Sequence, residues 1–152
     1  MPKSSAGLLL YRVGNDLIEM LLVHPGGPFW VKKDDGAWSI PKGEYTTGED
    51  PWAVALREFS EEIGLPAPAG HRIDMGAVTQ PSGKVVTVFA VHGDLDVTDV
   101  HSNTFELEWP KGSGRIRTFP EVDRVEWFSL AEARTKLLKG QLPFVDRLLE
   151  HL

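Results

Sequence analysis

The stretch Gly43–Leu65, GEYTTGEDPWAVALREFSEEIGL, crowds Glu49, Asp50, Glu58, Glu61 and Glu62 around one short helix. Asp50 is a good N-cap, and Pro51 suits the first helical position, where no donor is needed. Gly64 suits the left-handed residue that closes a helix, so the spacing predicts a helix over Pro51–Ile63. Trp52, Leu56, Phe59 and Ile63 recur at helical spacing and form its expected apolar stripe. At about 100° per residue, Glu58, Glu61 and Glu62 fall on the arc away from that stripe. Arg57 stands one turn before Glu61, where it is placed to pair with it. Like charges at helical spacing repel, so a positive partner is expected among the three glutamates. The bland alternative is a solvated acidic face.

The donor set narrows the partner. The cluster offers carboxylate oxygens and neither sulfur nor imidazole, which favours Mg²⁺ or Mn²⁺ over zinc. Such an ion bridges to phosphate oxygens, polarises phosphorus and acidifies a bound water. The loop that feeds the helix, Gly43 and the turn 45–48, brings backbone carbonyls and Glu49 toward the same arc. Read from residues alone, the segment points to metal-assisted chemistry on a phosphate ester or anhydride.

The same stretch resembles the signature of the Nudix hydrolases (MutT-like), G-x5-E-x7-R-E-U-x-E-E-x-G-U, where U is bulky and apolar. Gly43, Glu49, Arg57, Glu58, Phe59, Glu61, Glu62, Gly64 and Leu65 fill every specified position. Phe59 stands where the family usually has an aliphatic residue. The resemblance implies an α+β fold, a Nudix-type α/β/α sandwich with a mixed central sheet. It implies metal binding by Glu58, Glu61 and Glu62, completed by the backbone carbonyl of Gly43 or its neighbour, with Arg57 and Glu49 orienting them. It implies hydrolysis of a nucleoside diphosphate linked to another group, by water attack on phosphorus and without a covalent intermediate.

Two flanking runs resemble the branch of that family containing RNA pyrophosphohydrolases and some diadenosine polyphosphate hydrolases. They are WSIPKG, Trp38–Gly43, and PEVDRVEW, Pro120–Trp127. The second nominates Glu121 as a metal or general-base residue from a separate loop, with Glu106 and Glu108 as rivals near a predicted strand. The first places Lys42 beside the metal loop as a point charge for phosphate. Ser82 stands where diadenosine hydrolases often carry tyrosine, and Pro81 where ADP-ribose hydrolases often carry proline. The substrates implied are a dinucleoside polyphosphate or a nucleoside triphosphate. An ADP-ribose or nucleotide-sugar pyrophosphatase, and a non-catalytic nucleotide-binding domain, stay open.

Composition sets the frame. The chain has 152 residues, 41% hydrophobic and 25% charged, as expected of one domain, 1–152, with its own core. A net charge of −6 argues against non-specific nucleic-acid binding. Cysteine is absent, which excludes disulfides and thiol chemistry. No run approaches the roughly 18 apolar residues of a membrane helix, so the cytoplasm is the expected compartment and no membrane partner is expected.

Along the chain, 4–13 and 17–24 read as a hairpin about Gly14-Asn15-Asp16, and 38–40 as a short strand. Strands are expected at 72–79, 84–92, 104–109 and 122–128, with a basic loop at 110–117. Ser129 and Glu132 form a capping box for a helix to about Lys139, closed by Gly140, and 143–151 is a final helix. Trp30 in the loop 25–37 is placed to stack on a base. Arg115 and Arg117 are placed to clamp phosphate. The five histidines show no metal-ligand spacing, and neither a Walker A run nor a G-x-S-x-G elbow is present.

Overall fold

The computed structural model describes residues 3–152. Strands β1 (Ser4–Gly14) and β2 (Leu17–Pro25) form the expected hairpin. Asn15 and Asp16 turn it with φ of 50° and 63°, the left-handed pair a tight two-residue turn needs. The first part of β1, residues 4–7, pairs antiparallel with β3 (Lys42–Tyr45), and residues 4–11 run parallel to β5 (Val85–His92). Adding β4 (Arg72–Thr79) and β8 (Val122–Ser129) gives a mixed sheet in the order β4-β5-β1-β2-β8, with β3 beside β1.

Side chains alternate across β1 and β2, and each set packs a helical layer. Ala6, Leu8, Leu10, Leu21 and Val23 bury against α1 (Pro51–Ile63). Leu9, Tyr11, Met20 and Leu22 bury on the other face, with α2 (Leu130–Lys136) and α3 (Pro143–Glu150). This is the α/β/α sandwich, α+β in class, that the sequence implies. No helix among the described residues is long and apolar enough to cross a membrane.

Helix α1 has the predicted bounds and caps. The Asp50 side chain accepts from the Ala53 N–H at 3.4 Å, and Gly64 closes the helix at φ 83°. Its buried face differs from the expected stripe. Val54, Ala55, Phe59 and Ile63 are buried, whereas Leu56 is 37% exposed and Trp52 sits at the margin, edge-on to Phe89 at 5.4 Å. Small Ala55 lets the helix close on the sheet, which rolls Leu56 outward. The order around the helix at about 100° per residue is therefore Ile63, Phe59, Ala55, Glu62, Glu58, Val54. Glu58 and Glu62 lie inside the buried arc, where β3 rather than β1 faces the helix, and Glu61 lies just beyond it. The expectation that all three stand away from the apolar face is corrected.

Three other expectations change. The strand at 38–40 reduces to bridges from Ser39 to Val23 and from Trp38 to Leu137, because Pro41 cannot donate to a ladder. Helix α2 stops at Lys136, where Leu137 turns extended (ψ 145°) to reach Trp38, and Gly140 falls within a separate 3₁₀ turn, Lys139–Gln141. The basic loop at 110–117 is only partly a loop. Strand β7 (Ile116–Pro120) pairs with β6 (Thr104–Glu108) as a ribbon apart from the main sheet. Phe119 is its only half-buried member, so no alternation marked it as a strand.

Candidate active site

Glu58 is held where β3 meets α1. A Cβ on Gly43 would overlap the Glu58 carboxyl carbon, so only glycine permits this approach. The main-chain N–H of Lys42 donates to Glu62 Oε2 at 3.0 Å. Arg57 reaches back to Glu49 (3.1 Å) and along the helix to Glu58 (3.5 Å). The expected Arg57–Glu61 pair does not form, because Glu49, presented by the preceding loop, takes the guanidinium. The Thr46 backbone N–H at 3.0 Å, together with Arg57, holds the Glu49 carboxyl below the usual range.

The carboxylates around this point are driven toward their neutral forms. Burial, then the Glu58 charge, pushes Glu62 up to about 8. Burial, then Glu61, raises Glu58, and the same two causes raise Glu121. Burial, then the charge of Lys84, lowers Lys42. The Glu121 charge also raises both Glu58 and Glu62, so the group nominated from the separate loop lies within electrostatic reach of the helix carboxylates. Its rivals do not. Glu106 and Glu108 sit on the β6–β7 ribbon, and Glu108 accepts from the Gly112 N–H at 2.7 Å, closing that ribbon's own turn.

A chain of backbone hydrogen bonds fixes the arrangement. The Glu61 carbonyl accepts from Asn103 N–H (2.8 Å), the Asn103 carbonyl from Glu121 N–H (2.8 Å), and the Glu121 carbonyl from Gly26 N–H (2.9 Å). Ser102 Oγ adds a clasp to the main chain of Val122 on both sides, at 3.0 and 3.1 Å. No motif in the sequence flags Ser102 or Asn103. Gln141 escapes sequence reasoning in the same way. Fully buried, it accepts from Ile40 N–H (2.8 Å) and donates to Ser39 Oγ (2.9 Å), setting the segment that leads into Lys42.

Between these walls lies a cavity of about 190 Å³ that reaches Trp30, Ser39, Lys42, Glu62 and Glu121. Trp30, Lys42, Glu62 and Glu121 thus line one cavity, Glu58 packs on Gly43 in the adjoining strand, Glu61 acts on Glu58 and Glu121 by its charge, and Arg57 and Glu49 lie at the edge. Arg117 lies on β7 over the Phe119 ring (5.8 Å), and Arg115 in the turn of the β6–β7 ribbon, both outside this cavity. Among the described residues no three acidic or imidazole groups converge at ligand spacing. Glu62 is engaged by Lys42 and Glu58 by Arg57. The donor chemistry nonetheless fits a hard divalent cation: oxygen donors on one rigid helix, next to a backbone carbonyl strand, with negative charge that burial leaves unmatched.

Gly43→Ala tests the close approach. The new methyl group must displace Glu58, since β3 is locked in register with Ala6 of β1. We expect a loss of about 1–3 kcal/mol in denaturant stability and a fall in turnover on the order of 10²-fold. Wild-type turnover in a folded variant would show that the position of Glu58 is irrelevant.

Comparison with known proteins finds relatives of this chain. The family model described as NUDIX domain matches residues 1–148. An asymmetrical bis(5'-nucleosyl)-tetraphosphatase from Caenorhabditis elegans is 37% identical over 65 residues, covering 43% of this chain and 43% of that protein. An RNA pyrophosphohydrolase from Rhodospirillum rubrum is 39% identical over 66 residues, covering 41% of this chain and 38% of its own length. The chain thus spans about two fifths of the curated relatives it matches. Among solved structures, the NUDIX domain of Shewanella oneidensis NrtR complexed with ADP ribose superposes with a TM-score of 0.68 at 16% identity, over 99% of this chain and 88% of that one. A C. elegans Ap4A hydrolase binary complex gives 0.58 at 22% identity, over 98% and 96%. At these identities the structural likeness speaks for the fold.

Proposed function

The chain belongs to the NUDIX domain family, and we propose that it is a divalent-metal-dependent pyrophosphohydrolase. Its substrate is a nucleoside diphosphate linked to a further group, either a dinucleoside polyphosphate or a nucleoside triphosphate. The observation that supports this reading is one cavity lined by Glu62 of the helix and by Glu121 from a separate loop, with Glu58 and Glu61 close enough to raise their neighbours' carboxyls.

Glu58, Glu61, Glu62 and the Gly43 carbonyl would hold Mg²⁺ or Mn²⁺, which when bound would supply charge neutralisation on the phosphates and activation of water. Arg57, tied to Glu49, orients Glu58. Glu121, its carboxyl raised above its ordinary value by burial and then by Glu61, takes the proton of the attacking water, with Glu58 or Glu61 as the alternative base. The water oxygen forms the new bond to phosphorus, and the bridging oxygen leaves with the departing phosphate. Lys42 supplies a cationic contact to phosphate, Trp30 an aromatic face, and Arg115 and Arg117 outlying positive charge.

The test is direct. The protein is incubated with Mg²⁺ or Mn²⁺ and a panel of dinucleoside polyphosphates, nucleoside triphosphates and ADP-ribose, and the products are resolved by chromatography. We expect a nucleotide product that a chelator abolishes. Product from ADP-ribose alone transfers the assignment to nucleotide sugars. No product from any member leaves a nucleotide-binding domain without chemistry.

A further inference from the structure

A second cavity, of about 360 Å³, opens on the other side of the seam that holds Glu121. Its size lies within the range of small-molecule sites, about 300–1,000 Å³. The loop 25–37 supplies Pro28 and Val31, the β6–β7 ribbon supplies Trp109, Arg117 and Phe119, and β8 supplies Asp123. The two cavities share walls: Trp30 lines one and Val31 the other, Glu121 one and Pro120 the other. Two residues of extended chain separate Glu121 from Asp123, about 7 Å.

The walls are built rather than incidental. Phe29 meets Trp109 edge-on at 5.3 Å and holds its ring. Gly27, at φ 96°, lets Phe105 approach so closely that a Cβ would stand 2.9 Å from its ring, and a Cβ on Gly26 would overlap the Pro120 carbonyl. Asp123 is fixed by a buried histidine. His24, fully buried, pairs its Nδ1 with Asp123 Oδ1 and its Nε2 with the Lys33 carbonyl, both at 2.6 Å. That leaves Oδ2 to accept from a ligand.

We infer that this cavity seats a purine base of the substrate, stacked against Trp109, and that Asp123 selects guanine over adenine. The inference rests on the nucleotide reading above. An apolar cavity with an aromatic wall and a neighbouring guanidinium suits a base and its attached phosphates. An ionised carboxylate only accepts. The guanine edge presents a ring N–H next to an exocyclic amino group, two donors side by side. The adenine edge presents an amino group next to a ring nitrogen that also only accepts, and that nitrogen repels the carboxylate. The ribbon β6–β7, which stands apart from the main sheet, is on this account the specificity element of the chain.

Binding to the metal-free protein tests this without requiring turnover. Guanosine and adenosine 5′-monophosphate are titrated by calorimetry into wild type, Trp109→Ala, Trp109→Phe and Asp123→Asn. We expect wild type to bind guanosine monophosphate at least about tenfold more tightly, a difference ordinary for one well-placed base contact. Trp109→Ala weakens both ligands by about five- to a hundredfold, and Trp109→Phe recovers most of that loss. Asp123→Asn, whose neutral amide offers an N–H as well as an oxygen, brings the two ligands within about threefold of each other. Equal affinities in wild type, or a preference that survives Asp123→Asn, overturns the selection. Unchanged binding in Trp109→Ala overturns the pocket. If Trp109-dependent binding is seen but wild type hydrolyses no nucleotide, the pocket stands and the reaction assigned above fails.

Discussion

Without metal, Glu62→Gln protein should melt at a higher temperature than wild type at pH 8, and with metal its turnover should fall on the order of 10³-fold, the scale of losing a major electrostatic stabiliser. Both effects come from one carboxylate. Burial first, then Glu58, raises Glu62 to about 8 in the fold, against 4.5 as its ordinary value. Above pH 4.5 the unfolded chain releases this proton while the folded chain keeps it. Stability therefore declines as pH rises from about 4.5 to about 8, and levels off above that. At 1.36 kcal/mol per unit, the cost at pH 8 is on the order of 4 kcal/mol. Glutamine keeps the acceptor oxygen for the Lys42 N–H and carries no charge, so the variant escapes this decline. Divalent cation should reverse the ranking by stabilising wild type and not the variant. Melting curves at pH 5, 6.5 and 8, with and without Mn²⁺, read the effect. Parallel pH dependence in the two proteins would rule out Glu62 as its source, and retained turnover would remove it from the site.

The helix that carries this chemistry was legible in its bounds and caps because both depend on local residues: Asp50, Pro51 and Gly64 act within one turn of where they stand. Which side of it faces the sheet was not. Hydrophobicity weights Trp52 and Leu56 above Ala55, but packing favours the small residue that lets backbones approach, and Leu56 yields. The sequence stripe therefore puts all three glutamates on the arc away from the core, whereas Glu62 and Glu58 sit between Ala55 and Val54. The hairpin and strands β4, β5 and β8 followed from alternation and turn residues. Strand β7 buries too little to leave such a pattern. The signature set Glu49 and Arg57 beside the helix glutamates as orienting residues, but helical spacing pointed Arg57 to Glu61, and its pairing with Glu49 emerges only in the fold. Hydrogen bonds between segments far apart in the chain, from Asn103 to Glu61 and from Gln141 to Ile40, have no local sequence correlate at all.

The same long-range bonds separate Glu121 from its rivals and set the second large effect. Glu121 is anchored through its backbone alone, its N–H to Asn103 and its carbonyl to Gly26, so its side chain is free of structural duty. Glu121→Gln should therefore leave the melting temperature within about a degree or two of wild type, as for surface substitutions. Turnover should fall by about 10²–10⁴-fold, the range for loss of a positioned general base. Burial and the Glu61 charge raise the Glu121 carboxyl, so wild-type kcat should rise with pH as this group loses its proton, and that limb should vanish in the variant. A metal role instead predicts recovery of turnover at high Mn²⁺ with the limb intact, so the two measurements together assign the function. Glu106→Gln and Glu108→Gln serve as controls on the ribbon and should stay within about threefold of wild type. If either of them loses turnover while Glu121→Gln keeps it, the catalytic carboxylate belongs to the β6–β7 ribbon, and the backbone links from Glu61 to Gly26 only hold the fold.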